Sequence, residues 1–164
     1  MKKVLLIIVL IFLVGCVKYD YNYVHEEIKR LDLKYGGDFK NEILNGTLVS
    51  FDNISLMRED LIKFGEKLLE KNDTKSALLL LNVRLNMLES EKFWYLGNNL
   101  GLAGITSDGF KCSEVSQLLL ARKYYNESLS YALNTIYTMD TLLINYPGAI
   151  DLFGVDKKKI LFYY

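Results

Sequence analysis

Apolar residues recur along this chain at spacings of three and four, the period of a helix with one buried face. In 24–37 they fall at Val24, Ile28, Leu31 and Tyr35. Gly36-Gly37 follows, and glycine stops a helix by supplying a left-handed residue. In 52–73 they fall at Met57, Leu61, Phe64 and Leu68. Glu59 and Asp60 come early there and Lys67 and Lys71 late, each sign at the end where the helix dipole favours it. Residues 75–90 continue the pattern at Leu78, Leu81, Leu85 and Leu88, and Leu79 and Leu80 widen the face toward a second neighbour. Asn72-Asp73-Thr74 interrupts the pattern before it and can supply a cap. Ser113 is placed to cap a helix over 113–125, with Val115, Leu118, Leu119 and Arg122 in register. Asn126 is placed to cap the next, where Leu129, Ala132, Leu133, Ile136, Met139 and Leu143 form the cleanest apolar stripe in the chain. Tyr146-Pro147-Gly148 ends it, because proline cannot continue a helix and restricts the residue before it.

Two stretches are less regular. In 38–52, Asn45-Gly46 lies between short apolar runs, which reads as a hairpin turn or as the end of a short helix. The helical surroundings favour the helix. Residues 91–112 open with Phe93-Trp94-Tyr95 and carry Gly97, Gly101, Gly104 and Gly109. They read as the longest irregular segment, and a long loop with large apolar residues is often functional. The tail, 149–164, has apolar residues on both sides of Lys157-Lys158-Lys159. The expected fold is all-α, with one helical domain over 24–164 behind a tether at 16–23.

Residues 70–82 lie over 122–134 at an offset of 52 positions. Each reads as a helix, a short turn and a longer helix. The pair looks like a degenerate tetratricopeptide-type hairpin, without the Trp-Leu-Gly-Tyr signature of that repeat. A plain helical bundle gives the same periodicity, so both architectures stay open.

The chain starts differently. Lys2 and Lys3 precede an unbroken apolar run from Val4 to Val14, then Gly15 and Cys16. This is the layout of a secretory signal peptide over residues 1–15. As a helix, Val4–Val17 spans roughly 21 Å, short of the roughly 30 Å hydrocarbon core of a bilayer. Leu13-Val14-Gly15-Cys16 closely resembles the lipobox of prokaryotic lipoproteins. That resemblance implies that the Cys16 thiol receives a lipid and that the peptide bond before it is cut. The protein would then be lipid-anchored at the cell membrane, facing the outside or the periplasm. Two acyl chains hold a protein firmly where one binds only marginally.

Cleavage leaves 16–164, the size of one domain with a sizeable core. The whole chain has 20 basic and 20 acidic residues. Lys2 and Lys3 leave with the signal, so the mature charge is about −2. No basic stripe is present, which argues against a nucleic-acid partner. Cys112 is the only other cysteine, so with Cys16 acylated no intrachain disulfide can form.

Chemistry is sparse. His25 is the only histidine. A His/Cys metal site would rest on His25 and Cys112 alone, and any nucleophilic triad would need the same histidine. The glycines of 97–104 match neither the dinucleotide fingerprint nor a P-loop. Glu59 and Asp60 point about 100° apart on a helix and do not converge. Neither an enzyme nor a cofactor is expected. Asn45, Asn53, Asn72 and Asn126 each begin an Asn-x-Ser/Thr sequon that could carry a glycan on an exported chain. The candidate binding patch is Phe93, Trp94 and Tyr95 with Leu100 and Leu102, because large aromatics dominate interface hot spots. The expected role is a membrane-anchored, non-catalytic protein-interaction or envelope-assembly module with an envelope protein as partner. The alternative is a small-ligand or glycan-binding surface lipoprotein, which requires a pocket lined by Phe93, Trp94 and Tyr95.

Overall fold

A computed structural model describes residues 20–39, 49–70, 75–101, 105–106, 109–110 and 115–153. The fold is all-α. Helix α1 is Tyr21–Tyr35, α2 is Phe51–Leu69, α3 is Lys75–Gly101 and α4 is Val115–Asn145, and a 3-10 helix, Pro147–Phe153, follows. Between α3 and α4 two-residue strands pair antiparallel, β1 (Ile105–Thr106) with β2 (Gly109–Phe110).

Helix α1 starts inside the segment read as a tether. Asp20 caps it, its Oδ1 accepting from the backbone N–H of Asn22 at 3.0 Å and of Tyr23 at 3.2 Å. Such a cap stabilises a helix by about 1 kcal/mol. Gly36 ends α1 in the left-handed conformation, φ 76°, as its sequence predicts. Val24, Ile28 and Leu31 are fully buried. So are Met57 and Leu61 of α2, with Phe64 and Leu68 nearly so. Each such side chain contributes about 1.5–3 kcal/mol through removal from water. Gly65 lets α2 close on α3, since a β-carbon there would stand 2.7 Å from Leu81 Cδ2.

Helix α3 runs 27 residues, far past the expected end near residue 90. Its first half, from Ala77 to Leu88, packs into the core formed with α1 and α2. Its second half pairs with α4, antiparallel. The 3-10 helix folds back on the core through Ala149 and Phe153, whose ring meets Phe39 edge-on at 5.7 Å. Tyr21 at the start of α1 packs against Tyr146 at the end of α4, ring centres 6.3 Å apart.

The expected repeat fails at its second copy. Residues 122–134 lie within one continuous 31-residue helix, with no turn at Asn126. Asn126 is a good cap, but the residues on both sides favour helix and the α3 surface pairs with them without a break. Residues 91–101 are helical too. Gly97 marks close helix packing, not a loop: a β-carbon there would stand 2.8 Å from the Tyr125 ring. Among the described residues, no helix is long and apolar enough to cross a membrane.

Candidate interaction surface

From Ala121 to Thr135 the inward face of α4 is made of small, hydroxyl and aromatic residues, and Leu142 continues it into the core. Ala121 and Ser128 are buried there, and Tyr124, Tyr131 and Thr135 half-buried. Ser90 Oγ donates to the Ser128 carbonyl at 2.9 Å, and Ser128 Oγ donates to the Ser90 carbonyl at 2.8 Å. This reciprocal pair lets two helices approach closely with their hydroxyls satisfied. Phe93 stacks on Tyr131 at 5.7 Å with planes 8° apart, and its ring centre lies 6.1 Å from that of Tyr124.

The apolar stripe of α4 therefore faces the other way. Leu129, Leu133 and Ile136, expected in the core, are 59%, 57% and 53% exposed. Met139 and Leu143 sit at its edge, half-buried against the core. The exposed set extends along the helix through Leu118, Tyr125, Tyr137 and Ile144. Arg122 and Asp140 lie in the same stripe, Arg122 exposed and Asp140 half-buried. At about 100° per residue, positions 118, 122, 125, 129, 133, 136, 140 and 144 fall in one sector roughly 100° wide. The stripe is about 40 Å long at 1.5 Å per residue. A largely apolar stripe of this length, with one charge of each sign within it, marks an interaction site, whereas scattered exposed leucines do not.

The aromatic trio divides: Trp94 and Tyr95 pack edge-on with ring centres 5.3 Å apart, and Phe93 turns away from them. Consecutive helical residues point about 100° apart. Phe93 is half-buried against α4, and Tyr95 packs edge-on against Phe51 at 5.9 Å. Burial raises the Tyr95 phenol above its ordinary pKa, with nearby Glu91 adding to the effect. Trp94 is 42% exposed and borders a shallow hollow of about 200 Å³ with Ser90, Glu91 and Ser128. Phe93 and Tyr95 do not line this hollow. Leu100 is half-buried. Leu102 lies outside the described residues, as do Cys16, Cys112, Asn45, Asn72 and the tail from 154.

Of the other sequons, Asn126 is exposed on α4. Asn53 Nδ2, the atom a glycan would need, donates to the Tyr35 carbonyl at 2.9 Å. His25 is half-buried, its ring centre 6.4 Å from that of Phe39. It lines an open cleft of about 280 Å³ with Lys29, Asp32, Leu33, Gly37, Asp38 and Phe39. Among the described residues, no group of three or more His, Cys, Asp or Glu side chains could hold a metal ion.

Beneath that cleft lies an ion group that the periodicity reading missed. Arg84 is fully buried, and its Nη2 donates to Asp32 Oδ1 at 2.7 Å. Its Nη1 lies 3.8 Å from Glu91 Oε1. The carboxylates also accept backbone donors: Asp32 Oδ2 from Phe39 N at 2.9 Å, and Glu91 Oε2 from Val49 N at 3.2 Å. The Phe39 ring centre is 5.6 Å from the guanidinium carbon. A buried charge persists only when paired and hydrogen-bonded. This group ties α1, α3 and residues 39 and 49 together, so its role is structural. The sequence signal was present: Arg84 and Glu91 continue the buried row Ala77, Leu81, Leu88.

Comparison with protein-family models, with curated proteins and with solved structures gives no match.

Proposed function

We propose that this chain is an exported, lipid-anchored, non-catalytic protein-interaction module. It is held through Cys16 at the outer or periplasmic face of a prokaryotic membrane and binds protein through the outer face of α4. One observation carries the binding half of this reading: the apolar stripe centred on Leu129, Leu133 and Ile136 lies in solvent while the polar and small residues of α4 pack inward. Burying these residues is favourable by about 25 cal/mol per Å² of apolar surface. An apolar helix face open to solvent suits docking on protein. The lipobox-like segment supports the anchoring half.

The test is site-specific photocrosslinking of the full-length protein in its native membrane, with the photoreactive group at position 133 and, as control, at exposed Lys63 on α2. The reading expects protein adducts at 133 and none at 63. Adducts to lipid alone, or equal labelling at both positions, overturn it.

A further inference from the structure

We infer that the occupant of the α4 face is a second copy of this chain, docked antiparallel about a two-fold axis near residue 131. This rests on the reading of α4 as a protein-binding face and names the partner.

The stripe is self-complementary when read from opposite ends. With residue 131 as centre, Leu129 faces Leu133 of the second copy, and Leu118 faces Ile144. The same centre sets Arg122 opposite Asp140. All six lie in the one sector of α4 that turns away from α3.

The charges decide the direction. Among the described residues neither Arg122 nor Asp140 has an ion-pair partner within its own chain. An antiparallel pair joins each Arg122 to an Asp140, twice by symmetry. A parallel pair would set Arg122 against Arg122 and Asp140 against Asp140, and like charges across an interface cost several kcal/mol. A partner of different sequence would meet one arginine and one aspartate without any need for their symmetric placement. The spacing supports a long straight contact. Positions 118, 129 and 140, and 122, 133 and 144, repeat every eleven residues, a period that keeps a nearly straight helix in register with its neighbour. A seam about 40 Å long matches the three to four heptads over which paired helices are stable.

The test is sedimentation equilibrium of the full-length protein in density-matched detergent, comparing wild type, Arg122→Asp, Asp140→Arg and the double exchange. The proposal expects a wild-type dimer, weakened at least about tenfold by either single reversal, with recovery in the double exchange. A wild-type monomer, a dimer indifferent to both reversals, or a double exchange weaker than either single overturns it. Photocrosslinking at position 133 separates the two levels. Adducts to a different protein together with a monomer leave the α4 face as an interface and remove the second copy, whereas no protein adduct removes both.

Discussion

The ring of Tyr125 lies directly over Gly97, so close that a β-carbon there would stand 2.8 Å from it, and its hydroxyl donates to Asn98 Oδ1 at 2.7 Å. The two long helices meet at this point because one residue has no side chain and the other brings a flat one.

Gly97→Ala therefore tests the hairpin. Alanine favours helix by up to about 1 kcal/mol, but forcing a methyl into the ring costs about 1–3 kcal/mol. The net expectation is a loss of stability in urea denaturation. In a Tyr125→Ala background the same change should become neutral or stabilising. Equal cost in both backgrounds would show that the ring is not what Gly97 accommodates.

Arg84→Met should cost about 3–5 kcal/mol, because it leaves Asp32 and Glu91 as buried carboxylates without their counter-charge. Arg84→Lys should recover little, since one ammonium cannot reproduce a forked guanidinium between two acids. Thermal unfolding of the three proteins reads this directly. A lysine variant as stable as wild type would mean that the geometry of the fork is dispensable.

Asp60 accepts from Lys34 Nζ at 2.8 Å and from Tyr35 Oη at 2.7 Å. The Lys34 hydrogen bond chiefly, and then that of Tyr35, hold its carboxyl below the ordinary value. A lowered folded pKa stabilises above the unfolded value and is lost as pH falls through the folded one. Asp60→Asn should thus be less stable than wild type near neutrality. The gap should close as pH drops below the usual aspartate value of about 3.9. A gap that stays constant into acid would assign the effect to shape and not to charge.

For the anchor, wild-type cells grown with labelled palmitate should yield labelled protein and Cys16→Ser should yield none. Label retained on the serine variant would sink acylation at this position.

The α1 and α2 registers were legible in full, down to the Gly36 stop, because both helices bury one stripe against one core. Helices α3 and α4 were legible as helices but not in length. Gly97 and Asn126 carry local signals for a loop and a cap, and in both places the pairing of two long helices overrides local propensity. The burial of α4 was misread for a different reason. Periodicity reports that a helix has an apolar face and is silent about which way that face points. Ser128, Thr135 and Tyr131 pack inward because their hydroxyls and flat rings suit close helix packing, and Leu129, Leu133 and Ile136 are left outside. Phe93 turns away from Trp94 and Tyr95 because successive helical residues point about 100° apart, which adjacency in sequence does not report.

The contact between Tyr21 and Tyr146 has a consequence for posture. It brings the start of the folded domain to the C-terminal end of α4, only a few residues after Cys16. In an antiparallel pair centred on residue 131, the two tethers leave from opposite ends, about 45 Å apart at 1.5 Å per residue. Four residues reach at most about 14 Å. With Cys16 acylated as proposed, both lipids could enter one bilayer only when the long helices lie along its surface. The assembly would then be a low, two-footed raft, its height set by the thickness of the helices and not by their length.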